Sequence, residues 1–210
     1  MPATPVYALP YPASADPADV PTDVKKLADQ VALVLGGALS ATPPATPIEG
    51  QLWATQPAAG VVWVFRYNAG SASAFKWELV AGSPLVAEQT ADFNTTSTTY
   101  VDGTAALPVL TLPRAGDYDL SFGGRIYFGG SAAWQAFMTI KLGAAAAADA
   151  QASQAQGPNP SAVFVSVVIG RQLRLTGRAA GDTLAAWHKT NGQNCGFTDR
   201  WVRAVPVRVS

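Results

Sequence analysis

From residue 107 to 128 the chain reads LPVLTLPRAGDYDLSFGGRIYF, and apolar and polar side chains alternate along it. Tyr118, Leu120, Phe122, Ile126 and Phe128 share one parity, with Gly124 the only gap. Asp119, Ser121, Gly123 and Arg125 take the other, and Tyr127 closes it. Period two over that length predicts a strand with one dry and one wetter face. Leu110 and Leu112 supply a strand before it, and the Pro113-Arg114-Ala115-Gly116 break makes the turn. The Gly123-Gly124 pair predicts a bulge or a close backbone approach. Further strands are expected over 95–101, 134–142, 162–169, 172–176, 183–188 and 201–209, with glycines punctuating the gaps. About eight short strands and no convincing helix predict a β-sandwich or jelly roll. The alanine-rich tract 143–160 has helix-forming residues but no apolar period, and reads as a long loop.

Upstream the pattern changes twice. Gln51–Ala54 (QLWA), VVWVFRY over 61–67 and FKWELV over 75–80 predict a three-stranded β-meander. Its middle strand is apolar on both parities, and so small a meander cannot cover both faces by itself. Before it, ALSATPPATPI over 38–48 is a linker stiffened by three prolines. Val20, Val24, Leu27, Val31 and Val34 recur at spacings of four and three, a heptad seam on a helix capped by Thr22 and ended by Gly36-Gly37. A helix this short is marginal alone, so the seam needs a partner. Residues 1–19 carry five prolines, which forbid helix and break ladders. Val6, Tyr7, Leu9 and Tyr11 nevertheless need burial. The expected order is an extended docking arm (1–19), a short trimerising helix (20–37), the linker (38–48), the meander (49–82) and a jelly-roll-like β-sandwich domain (83–210). The class is mainly β.

Composition narrows the partners. Apolar residues are 49% and charged ones 13%, which argues against disorder and suits a component with much surface buried against neighbours. Residues 1–110 hold 4 Lys and Arg against 9 Asp and Glu, and residues 111–210 hold 10 against 5, so the halves carry −5 and +5. Neither nucleic-acid binding nor membrane insertion is indicated, since no basic run and no long apolar span occurs. One cysteine, Cys195, cannot form an intrachain disulfide, and the first residues lack a basic stretch of a secretory signal.

Candidate chemistry is sparse. The single histidine, His188, stands beside Trp187 with no nucleophile motif near it. His188 and Cys195 alone do not make a metal site, and no phosphate-binding glycine loop occurs. No cofactor, metal or catalysis is expected, although Asp117, Asp119, Asp182 and Asp199 could converge as an acid pair. Binding is easier to build: Tyr127, Trp134, Trp187, Asn191 and Asn194 offer aromatic faces and amides suited to a sugar. The tryptophans could equally be core, and the asparagines turn formers.

Three stretches carry a resemblance. LPYPASADPADVPTDVKKLADQV resembles the N-terminal segment of small tail-fibre and minor tail proteins of bacteriophages infecting actinobacteria and similar high-GC hosts. PIEGQLWATQPAAGVVWVFRYN followed by KWELV looks like the short meander that often follows it. TSTTYVDG, LTLPRAGDYDLSFGG and RWVRAVPVRVS are similar to the C1q/TNF-like jelly rolls that end many trimeric phage fibres. The resemblance implies a virion structural protein, a homotrimer that attaches to other virion proteins through its N-terminus. It also implies that the C-terminal domain recognises a host surface glycan or receptor. The trimer would be held by Val20, Val24, Leu27, Val31, Val34, Trp63 and Val64. The absence of a long shaft leaves a capsid-decorating head fibre or cement protein as the alternative. A free carbohydrate-binding module is a third reading.

Overall fold

The computed structural model describes residues 24–25, 39–102, 107–130, 132–157 and 164–210. The arm residues Val6, Tyr7, Leu9 and Tyr11, and the seam residues Val20, Leu27, Val31 and Val34, lie outside these. Of the seam only Val24 is described, in helical backbone and exposed. Twelve strands occur among the described residues: β1 (Leu52–Ala58), β2 (Val61–Tyr67), β3 (Trp77–Gly82), β4 (Leu85–Gln89), β5 (Phe93–Thr95), β6 (Val109–Thr111), β7 (Gly116–Phe128), β8 (Trp134–Leu142), β9 (Ser153–Gly157), β10 (Val165–Arg178), β11 (Thr183–Thr190) and β12 (Cys195–Val209). The chain divides into two compact units. One comprises residues up to Ser83 with Arg208–Ser210, the other Pro84–Val207.

In the first unit β1, β2 and β3 form an antiparallel meander, and the last residues of β12 pair with β3. Its buried face is aromatic: Trp53 stacks on Phe65 at 5.3 Å and meets Trp77 edge-on at 5.4 Å. Trp63 is fully buried and its indole N–H donates to the Ser83 carbonyl at 2.8 Å. A β-carbon at Gly82, whose φ is +152°, would stand 2.6 Å from the Trp63 ring, so only glycine fits there. Trp63 is therefore part of the chain's own core, which corrects its assignment to a trimer interface. Val64 points to the opposite face, beside the exposed Leu52 and Val62.

The second unit is a two-sheet sandwich. One sheet orders β12, β7 and β10, with β4 and β5 both pairing the free edge of β12; the other orders β6, β11, β8 and β9. Counting β4 and β5 as one broken strand leaves eight strands in chain order. The first, eighth, third and sixth lie in one sheet, and the second, seventh, fourth and fifth in the other. That interleaving is the double Greek key of a jelly roll.

The β7 alternation persists in the fold. Tyr118, Leu120, Phe122, Ile126 and Phe128 are all buried between the sheets, with Leu184, Ala186 and Met138 facing them from the other layer. No bulge occurs at Gly123-Gly124, since the pairing with β10 runs unbroken there. The glycines instead admit close neighbours, which is the second of the two expected reasons. Strands 162–169 and 172–176 are one strand, β10, continuous through Gly170. Part of the alanine-rich tract is ordered as a 3-10 turn (Asp149–Gln151) and β9, not as one long loop.

Candidate functional site

Along β11, Leu184, Ala186, His188 and Thr190 are buried, so Trp187 and Lys189 face outward. On β8, Phe137 and Lys141 share the outward parity. Val101 forms a bridge with His188 through paired backbone hydrogen bonds of 2.9 and 3.0 Å, which lays Tyr100 beside Lys189. After β8 the chain turns at Gly143 (φ +54°) and returns through the alanines to Asp149. These elements surround an open basin of about 600 Å³ whose walls include Tyr100, Lys141, Ala147, Asp149, Trp187 and Lys189.

One side of the basin is electrically closed. The Lys189 ammonium lies 2.6 Å from Asp149 Oδ1 and donates to Oδ2 at 2.8 Å, and the Tyr100 hydroxyl donates to Asp149 Oδ1 at 2.8 Å. The Lys189 hydrogen bond, then that of Tyr100, hold the Asp149 carboxyl below its ordinary range. Burial, then the Asp149 carboxylate, push the Tyr100 phenol up. The Lys189 ammonium also stands 4.9 Å from the Tyr100 ring centre and 4.7 Å from that of Phe137. The other side is not closed. Lys141 places its ammonium 4.4 Å from the Trp187 ring centre, and among the described residues no carboxylate reaches it. Two lysines against one aspartate leave the basin with one net positive charge.

The outward face of the β12–β7–β10 sheet is built differently. Trp201 lies over Gly123 and Gly170, which are register partners. A β-carbon at Gly123 would meet the indole at 2.8 Å, and one at Gly170 at 3.8 Å. Tyr127 lies over Gly196, where a β-carbon would overlap its ring, and stacks on Phe164 at 5.7 Å. The charges on this face pair within the chain: Arg174 with Asp119 at 2.5 Å, Arg125 with Asp199 at 3.3 Å, and Arg203 with Glu88 at 3.5 Å. Val168 and Phe164 remain 74% and 64% exposed, large for apolar side chains.

The five residues proposed for receptor binding do not converge. Trp187 lines the basin, whereas Tyr127 belongs to the opposite sheet. Trp134 is 2% exposed and stacks on Phe128 at 5.6 Å, so it has no face for a ligand; its assignment is corrected to core. Asn191 spends its amide on the chain: its oxygen accepts from the Gln135 N–H at 3.1 Å and its NH₂ donates to the Ala133 carbonyl at 3.3 Å. Asn194 is exposed in the turn before β12. Tyr100, Lys141, Asp149 and Lys189 were not anticipated. The outward parity of Lys141 and Lys189 was readable, but their meeting depends on β8 pairing β11.

Each of the four aspartates is engaged within the chain. Asp117 accepts from the Gly177 N–H at 2.9 Å, Asp119 and Asp199 are ion-paired as above, and Asp182 lies 3.8 Å from Arg178. His188 is fully buried between Phe93 and Phe197, 5.5 and 4.6 Å away. Among the described residues no group of histidine, cysteine and carboxylates could hold a metal, and no helix is long and apolar enough to cross a membrane.

No protein-family model matches the sequence, and no curated protein matches it. Among solved structures the chain is similar to the Eiger TNF of S. frugiperda, at 10% identity and a TM-score of 0.41, over 60% of this chain and 94% of that one. It is also similar to the globular domain of zebrafish complement 1qA protein, at 11% identity and a TM-score of 0.34, over 60% and 98%. The jelly-roll assignment rests on the strand order itself.

Proposed function

We propose that this is a non-enzymatic virion structural protein, a homotrimeric tail-fibre or minor tail protein that docks on other virion proteins by residues 1–19 and recognises a host surface glycan through its jelly roll. The observation that carries the reading is the unlike construction of the two outer sheet faces. The β12–β7–β10 face is aromatic and charge-paired. Exposed Phe164 and Val168 give it apolar area to bury, and its three arginines and three acidic partners cancel. Such a face can lie against neighbouring copies arranged around a threefold axis without like-charge repulsion, so neighbouring copies are its occupants. The β8–β11 face instead carries a basin with an aromatic floor and a cation, the features of a small-ligand site. The roles of the arm and the virion location rest on the sequence resemblance.

The test is the number of copies in purified particles, by quantitative gel, for the intact chain and for a chain lacking residues 1–19. A few copies that vanish on deletion support the tail reading. Hundreds of copies support the capsid-decorating alternative, and normal incorporation without the arm removes its docking role. A protein absent from particles that still binds glycans would be the free carbohydrate-binding module.

A further inference from the structure

We infer that the β8–β11 basin selects saccharides bearing an anionic group, with Lys141 as the anion contact and Trp187 as the platform for the sugar ring. The inference rests on the proposed ligand-recognising role of this face and names the chemical class that role would serve. Its volume of about 600 Å³ falls inside the roughly 300–1,000 Å³ typical of small-ligand sites. The basin is open, which suits one unit of a long polymer better than an engulfed small molecule.

The charge distribution chooses the class. Asp149 is committed to Lys189 and Tyr100 and fixes that wall. Lys141 has only the Trp187 ring as its partner among the described residues. An ammonium held against an indole is partly desolvated and keeps its charge available, so an incoming anion gains a charge-assisted hydrogen bond at little cost in ordering. A neutral sugar would find the aromatic floor but leave that cation unanswered. The alanines at 144, 146 and 147 add no polar group and no bulk to the wall, and Thr98 and Thr99 add only neutral hydroxyls, so discrimination by charge falls on Lys141. Carboxylate and phosphate share the required chemistry, and the probes separate them.

The experiment uses the full chain and intrinsic tryptophan fluorescence, titrated with glucuronate oligomers, glycerol-phosphate oligomers and neutral glucose oligomers of matched length. At least one anionic probe should bind more than tenfold tighter than the neutral one, and its advantage should shrink as salt screens the contact. Lys141→Ala should weaken that probe by about tenfold to a hundredfold, the range of one hydrogen bond to a charged group, while leaving the melting temperature in place. Lys141→Arg should keep most of the binding, and Trp187→Ala should weaken charged and neutral probes alike. Equal affinity for neutral and anionic oligomers, indifference to Lys141→Ala, or no binding of either anionic probe would each overturn the assignment. Acidic-oligomer binding by a protein that fails to attach to host cells would keep the assignment and overturn the host-recognition role.

Discussion

His188 and Arg200 place two ionisable side chains in the sandwich interior, at 0% and 1% exposure. Neither His188 ring nitrogen has a hydrogen-bond partner among the described residues. Burial first, and Arg200 second, press its pKa down to about 3. The folded protein thus holds the neutral ring, whereas the unfolded chain takes up a proton near pH 6.5. Stability from this site is complete above pH 6.5 and is lost as pH falls toward 3, by up to about 1.4 kcal/mol for each pH unit crossed. Urea melts at pH 7 and pH 4 should differ markedly for the native chain and much less for His188→Phe. An undiminished difference would assign the acid sensitivity to carboxylates. Glycines give a second prediction at this scale. A β-carbon at Gly123 would lie against the Ile169 carbonyl and the Trp201 ring. Backbone cannot swing away, so Gly123→Ala should destabilise by roughly 1–3 kcal/mol in denaturant melts. At Gly196 the atoms nearest an added β-carbon all belong to the outer end of the Tyr127 ring, a side chain that can swing aside, so Gly196→Ala should preserve stability while weakening self-association.

At the level of elements, legibility tracked how much of a strand's burial is written in side-chain type. β7 and β8 put large apolar residues on most inward positions, with Gly124 and Ala136 the exceptions, so period two was plain there. In β9 the buried residue is Ala155 among serine and glutamines, and nothing in such a run distinguishes strand from loop. β10 looked like two strands because a glycine normally weakens a strand interior. Here Gly170 faces Gly123 beneath Trp201, so the cover arrives from a strand 31 residues further along the chain. The binding candidates suffered likewise: Trp134 and Trp187 are the same residue type on adjacent strands, and only parity against the second sheet sends one in and the other out. The alanine tract carries its own prediction. Its small side chains keep the basin open, so Ala147→Leu should reduce oligomer binding with little change in melting temperature. A variant that binds normally would remove the tract from the ligand wall.

For the whole molecule the governing expectation is assembly. Light scattering should give three times the 21.8 kDa chain mass. Val168→Asp puts a charge on a side chain already 74% exposed in the single chain. It should therefore leave folding intact while shifting the protein toward monomer. A stable trimer in that variant would move the contact off the β12–β7–β10 face, toward the exposed Val62 and Val64 side of the meander or the seam of 20–37. A well-folded monomer of the native chain at micromolar concentration would end the trimer altogether.

Asp199 interrupts β12 with φ +48°, and the strand buries odd-numbered residues before it (Cys195, Phe197) and even-numbered ones after it (Arg200, Val202, Ala204). One supernumerary residue is thus stored at that point. It makes β12 tolerant of a change in length at one place and intolerant elsewhere. Excising Asp199 costs the contact with Arg125 but leaves inward and outward residues in step on both sides. Excising Arg203 instead would carry Val205 into the interior and turn Ala204 out. The first shortened chain should fold and the second should not, a difference visible in soluble yield alone. Related chains that differ by a single inserted or missing residue in this strand should differ at this position.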